Sequence, residues 1–346
     1  MVLGFWDLDV PIVGAPMAGG PGTPALAAAV SNAGGLGFLA AGYVSPERLA
    51  NDIAAARAAT TGPIGVNLFV PQPSVADIYQ LDYYAEALDE LAEHYDVEVG
   101  HPNFGDDDGW QQKLELLTRH PVPVVSFTFG CPTPEVISAL QAVGSKVVIT
   151  VTTPGEAGVV ARAGADAVCA QGIEAGGHQG SFTDDTAPDA GWGLLALVSA
   201  IRHEVRIPVI AAGGLMTGAA VAAVVRAGAV AAQLGTALLR CPESGASEMH
   251  KTALADPAFT GTSITRAFSG RRARGLVNDF MRAHPDAPSA YPHINNATRA
   301  LRRAAVARHD PHTTNLWAGQ GFRLAQDRPA AEVITTIGTE CEALTA

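Results

Sequence analysis

Short, almost unbroken apolar runs recur along this 346-residue chain, separated by longer stretches of about helical length. The runs lie at residues 10–14, 36–40, 64–69, 122–127, 146–151, 166–170, 208–212 and 230–234. A strand with one wet face alternates apolar and polar residues, so continuous Val/Ile/Ala runs predict parallel strands covered on both faces. Helices are predicted over 24–33, 46–59, 111–120, 134–143, 155–163, 194–204 and 218–227, with a last one after Gly235. Thr23-Pro24, Ser45-Pro46 and Thr133-Pro134 supply a capping hydroxyl followed by proline in the first turn. Ala-Gly pairs such as Ala33-Gly34 and Ala163-Gly164 mark helix stops. Strict strand–helix alternation predicts an α/β fold, a (β/α)8 TIM barrel. A doubly wound open sheet is the alternative, disfavoured because glycines follow several strands, as around a barrel rim.

Two segments break the rhythm. Residues 71–109 contain a predicted helix over 78–95 and then a polar turn with Asp106-Asp107-Asp108; residues 260–329 carry Arg271-Arg272-Ala273-Arg274 and Trp317-Ala318-Gly319-Gln320-Gly321. Both leave the barrel at its rim, which predicts a smaller substrate or cap domain from 71–109 and 260–329. The barrel then takes 1–70 and 110–259, with 330–346 returning to it. The triple aspartate reads as a solvated turn before it reads as a metal site. The arginine cluster suits either an anion or a salt-bridged surface.

Composition narrows the partners. A formal charge of −12 argues against nucleic acid and anionic membrane surfaces. With 48% hydrophobic and 16% charged residues the chain is expected to be compact. The four cysteines, Cys131, Cys169, Cys241 and Cys341, form no Cys-x-x-Cys pair, which excludes the usual zinc spacings and suggests reduced thiols in the cytoplasm. Residues 1–7 lack the basic-then-apolar order of a secretory signal, and no run reaches membrane-spanning length. No metal is expected, and a homodimer is left open.

Barrel chemistry sits at the C-terminal ends of the strands. There the chain places Gly14-Ala15-Pro16-Met17, Asn67, the run Ser126-Phe127-Thr128-Phe129-Gly130-Cys131-Pro132, the segment 171–180, Gly213-Gly214, and Gln233-Leu234-Gly235-Thr236. The segment 171–180 concentrates an amide (Gln171), a carboxylate (Glu174), the glycines Gly176 and Gly177, and an imidazole (His178). The last two strand ends are where barrels bind phosphate through backbone N–H groups. Asn67, Gln171 and Gln233 can meet the edge of a heterocycle, and Ala15 and Met17 its face. Flavin mononucleotide (FMN) fits that inventory. No Gly-x-Gly-x-x-Gly follows a first strand, so a dinucleotide fold is unsupported.

In this order and spacing the motifs resemble the nitronate monooxygenase family, formerly called 2-nitropropane dioxygenases, and within it the first class. The resemblance runs from Gly14-Ala15-Pro16-Met17 to Trp317-Ala318-Gly319-Gln320-Gly321. It implies an FMN-containing barrel that oxidises alkyl nitronates, such as propionate 3-nitronate, with O2 to a carbonyl compound and nitrite. It also implies that His178 is the active-site histidine and that Asn67, Gln171, Gly176, Gly213, Gly214 and Gln233 to Thr236 contact the flavin. Neutral His178 can act as a base toward a nitroalkane, or protonated His178 can hold nitro oxygens. Tyr291 is a candidate for the substrate pocket, although a packing tyrosine is the alternative. Glu174 is expected to orient its loop. Two other classes stay open: an FMN-dependent NAD(P)H:quinone or enoyl-thioester reductase, and a flavin-free barrel that binds a phosphorylated ligand.

Overall fold

The structure, a computed structural model, describes residues 8–72, 77–184 and 191–346. The sequence expectation for the N-terminal segment 1–7 therefore lies outside the described residues. Eight parallel strands close a barrel: β1 (Ile12–Gly14), β2 (Gly37–Ala40), β3 (Ile64–Phe69), β4 (Val124–Thr128), β5 (Lys146–Val151), β6 (Ala167–Gln171), β8 (Val209–Ala212) and β9 (Ala231–Leu234). β1 pairs with β9, and a Val13–Leu36 bridge joins it toward β2, which completes the circle. β7 (Gly177–His178) leaves the barrel and joins a second sheet with β10 (Thr262–Thr265) and β11 (Ala273–Leu276).

The strand registers explain why a site forms at one end. Alternate residues point inward, and the inward set starts apolar with Val13, Phe38, Val124, Val148, Cys169 and Ile210. Continuing inward by twos brings up Asn67, Ser126 and Thr128, Thr150, Gln171 and Gln233 at the C-terminal ends. Register pairs Asn67 with Ser126, Thr150 with Cys169, Gln171 with Ala212 and Ala212 with Gln233. Outward residues pack under the helices in a continuous core that includes Val66, Phe127, Ile149, Val168 and Ala211.

Six of the eight strand starts move by one or two residues from the sequence expectation. β4 begins at Val124 because Pro123 has no N–H for the ladder and the Val122 carbonyl accepts from Ser145 Oγ at 2.7 Å. The run 78–95 is two helices, Ile78–Glu86 and Asp89–Tyr95, broken around the buried Leu88. The largest departure follows Gly235, where a full barrel helix is expected. A 3-10 turn, Thr236–Leu238, stands directly after it, and the next helix, the eight-residue Glu248–Ala255, comes only ten residues later. The barrel flank beside the Gly218–Arg226 helix is covered instead by the C-terminal helix Ala330–Thr345. Gly218 permits this contact: a Cβ there would meet Glu340 at 2.2 Å and the Ile337 carbonyl oxygen at 2.8 Å.

The two excursions share a hydrophobic cluster of their own. Leu81, Tyr84, Leu88 and Tyr95 from the first pack with Phe268, Phe280, Ile294 and Leu301 from the second. The acidic turn is not simply solvated. Asp108 Oδ2 pairs with Lys113 Nζ at 2.9 Å, and Lys113 is 1% exposed. Arg274 lies on β11 and Arg271 and Arg272 just before it, and all three are buried, so a wet surface does not describe the cluster.

Candidate active site

A cavity of about 750 Å³ opens where the polar strand ends face the cap. Ala15, Met17, Asn67, Gln171, Gly176, Gly177, His178, Gly213, Gly214, Gln233, Gly235 and Thr236 all line it. Two residues expected at the site do not. Leu234 is fully buried in the barrel core and its carbonyl accepts from Ala15 N at 2.8 Å. Tyr291 stays off the cavity wall, and its ring packs 5.8 Å from His178 and 5.4 Å from Phe129.

The segment 171–180 is held from two sides. Gln171 Nε2 donates to the His178 carbonyl (3.1 Å), and Gly180 N donates to Gln171 Oε1 (2.7 Å). From the other side β7 pairs with β11, matching His178 with Ala273. Gly176 is needed for close approach: a Cβ there would sit 2.5 Å from the Ala318 carbonyl carbon and 2.5 Å from Gly319 N. Through that contact the 317–321 motif reaches the site. Gly319 N donates to Thr236 Oγ1 (2.9 Å), and Gln320 N donates to the Glu174 carbonyl (3.0 Å). The Glu174 carboxylate accepts from Leu194 N at 2.9 Å and so anchors the start of the Leu194–Glu204 helix, a structural task.

His178 sits in an aromatic and cationic pocket. Its ring meets Phe129, Tyr291 and Trp317 at centroid distances of 5.6, 5.8 and 5.7 Å. Its Nε2 lies 2.9 Å from Ser269 Oγ. Burial, then the charges of Arg271 and Arg302, push its pKa down to about 3, so the imidazole is neutral at physiological pH. The Arg271 guanidinium lies 4.1 Å above the Phe129 ring, and its Nε has no hydrogen-bond partner among the described residues. Phe129, midway along the Ser126–Pro132 run, holds a φ of +77°, a strained backbone for a bulky residue, where its ring meets His178. Cys131, at the end of the Ser126–Pro132 run, does not line the cavity, and burial pushes its thiol up, away from the thiolate.

The charge on the wall is one-sided. Arg299, Arg302 and Arg303 line the cavity, whereas none of its described lining residues is aspartate or glutamate. Arg302 is held by neutral groups only, donating to Thr298 Oγ1 (3.0 Å), Asn315 Oδ1 (3.0 Å) and both oxygens of Asn295 (2.9 Å). This face of the Arg299–Ala307 helix went unread in the sequence, although arginines at i, i+3 and i+4 were its signal.

The nitronate monooxygenase family profile matches residues 5–340. A nitronate monooxygenase of Pseudomonas aeruginosa is 43% identical over 343 residues, covering 96% of each chain. This chain belongs to the nitronate monooxygenase family. As a member it is a flavin-dependent oxidoreductase. A solved nitroalkane oxidase from Streptomyces ansochromogenes superposes with a TM-score of 0.95 at 50% identity, covering 98% of this chain and 97% of that one. FabK from Thermotoga maritima superposes less closely, with a TM-score of 0.76 and 30% identity over 99% of this chain and 96% of that one. The family's (β/α)8 barrel is the fold seen here, and none of the described helices is long and apolar enough to cross a membrane.

The cavity suits a flavin. Among the described residues, the backbone amides of Gly213, Gly214, Gly235 and Thr236 donate to no main-chain carbonyl, leaving them for an anionic group. Gly213 and Gly214 hold φ of +125° and +68°, which open that turn without a side chain. Gln233 lines the cavity at the barrel mouth, and among the described residues its side-chain amide has no hydrogen-bond partner. Asn67 is more constrained, because its Nδ2 donates to Ser126 Oγ (2.9 Å) and Thr128 Oγ1 (3.0 Å).

Proposed function

We propose that this family member is an FMN-dependent nitronate monooxygenase. It would oxidise alkyl nitronates of the propionate 3-nitronate type with O2 to a carbonyl compound and nitrite. The observation that carries this reading is the sign of the cavity wall. In a chain of net charge −12, every charged residue among the described lining is an arginine. Such a wall draws in anions and repels none of them.

FMN would be held with its phosphate at Gly213, Gly214, Gly235 and Thr236, its ring flanked by Ala15, Met17, Gly176 and Gly177, and its edge toward Gln233, Asn67 and Gln171. When bound it supplies the electron acceptor and the partner for O2. The protein's own residues do the rest. Arg302, with Arg299 and Arg303 at the cavity rim, would hold the negative ends of a nitronate that also carries a carboxylate. His178 lies beside this field as a neutral imidazole. A nitronate is already an anion and asks for no base, whereas a neutral nitroalkane asks this histidine for proton abstraction. Low basicity makes His178 a weak base, which favours the preformed anion over the neutral nitro compound.

Residues 1–70, 110–259 and 330–346 would form the flavin barrel, and 71–109 with 260–329 the cap that contributes the arginines. Four free thiols among the described residues suit a reducing cytoplasm. The test is anaerobic mixing of the purified yellow protein. Propionate 3-nitronate should perturb the flavin spectrum rapidly, O2 should then be consumed with nitrite release, and denaturation should free FMN. Colourless protein that cannot be reconstituted with FMN would overturn the cofactor. Rapid bleaching by NADH without response to a nitronate would move the chain to the reductases.

A further inference from the structure

Tyr43 lies just beyond β2 and lines the cavity. Its backbone is left-handed, with a φ of +67° that a bulky residue rarely adopts. A connection from the 101–109 turn holds it there. Asp108 Oδ1 accepts from Tyr43 N at 2.9 Å, while Asp108 Oδ2 pairs with buried Lys113. Lys113 Nζ also donates to the Ala41 carbonyl at 2.8 Å, two residues before the tyrosine. Edge-on packing against Phe69, at 5.5 Å, orients the ring.

The hydroxyl is fixed as well. Tyr291 OH donates to Tyr43 OH at 3.1 Å, and Tyr291 is itself wedged between Phe129 and His178. One hydrogen bond joins two hydroxyls, so the proton of Tyr43 itself has no acceptor among the described residues. Burial, the larger effect, pushes Tyr43 up to about 12, whereas the Tyr291 bond and the Arg302 charge act in the opposite sense. The group is a phenol, not a phenolate, at any working pH. A hydroxyl that accepts one hydrogen bond is also a better donor of its own.

We propose that Tyr43 donates a hydrogen bond to an anionic oxygen of the bound substrate, and that Asp108 and Lys113 are positioning residues acting through it. This rests on the nitronate reading above. The acidic turn then has a task in the site, as the latch on the strained backbone of Tyr43. Tyr291 also acquires a role without touching substrate.

The test is anaerobic titration of flavin-loaded protein with propionate 3-nitronate, followed by flavin absorbance. Tyr43→Phe should keep a wild-type flavin content and bind the nitronate roughly 10- to 100-fold more weakly, the range for a lost bond to a charged acceptor. Asp108→Asn should weaken binding in the same sense. The double variant should be no weaker than Tyr43→Phe alone, since Asp108 acts through the tyrosine. Wild-type affinity in Tyr43→Phe, or a further loss on adding Asp108→Asn to it, overturns the proposal while leaving the nitronate reading intact. A wild-type protein that does not respond to nitronate overturns both.

Discussion

The low basicity of His178 can be tested through the pH dependence of turnover on a neutral nitroalkane. The perturbation is a fall in pH from 8 to 5. An imidazole at its ordinary value near 6.5 would keep only about 3% of its base form at pH 5, a loss of about thirtyfold. With the pKa pushed down to about 3, His178 would still be about 99% unprotonated there. The causes, in order, are burial, Arg271 and Arg302. The sign is definite: a base whose proton affinity is depressed keeps its active form as the pH falls and loses it only near the depressed value. The parameter to follow is kcat/KM, which reports ionisations of the free enzyme. Initial O2 uptake with freshly dissolved nitroethane should give a kcat/KM without an acid limb between pH 8 and 5. Arg271→Met, which removes the second cause but not the burial, should move the limb upward in pH. A limb centred near pH 6.5 in the wild-type protein would refute the reasoning, because the imidazole would then be as free to protonate as one in water.

Three further outcomes follow from the same geometry. His178→Asn should retain flavin and lower turnover of neutral nitroalkanes by roughly 10²–10⁴, with a smaller loss on preformed nitronate; equal losses would instead point to an electrostatic role. Gly176→Ala inserts a methyl 2.5 Å from the Ala318 and Gly319 backbone. It should cost about 1–3 kcal/mol in denaturant unfolding and lower flavin retention, and an unchanged midpoint would show that the 317–321 segment yields freely. The flavin-free protein should lose stability on acidification. At pH 5 the unfolded chain protonates His178 and His250, whereas the native values of about 3 and about 4 leave them neutral. Stability therefore rises with pH across this window, and about 4 kcal/mol separates pH 5 from pH 8 for the two together. A His178→Asn variant with the same pH slope of unfolding as wild type would contradict this.

Local pattern and distant closure contributed differently. A parallel strand covered on both faces must be apolar throughout, so the barrel strands are visible as continuous runs, and their polar C-terminal residues mark the chemical end. The period of two then carries Asn67, Thr128, Thr150, Gln171 and Gln233 to one interior layer, and the glycine-rich segment 171–180 announces itself by composition. These properties depend on neighbours a few residues away, and the amino-acid order alone determines them.

The cap was legible as an interruption but not in its details. Nothing within the run 78–95 signals the break at Leu88, whose burial depends on residues beyond 267. The vacancy after Gly235 is filled by a helix about a hundred residues later, and the sequence offers no local reason for the substitution. The arginines of 271–274 are as polar as any surface cluster until β11 is drawn between β7 and β10. The same holds for the pairs that tune the site. Ser269 meets His178 across 91 positions, Asp108 meets Tyr43 across 65, and Tyr291 meets Tyr43 across 248. Hydrophobic periodicity reports which face of an element is buried, not which distant side chain it will meet. Only barrel closure and the folding of the cap over its mouth bring such groups together, and with them the burial that keeps His178 neutral and the cavity wall cationic.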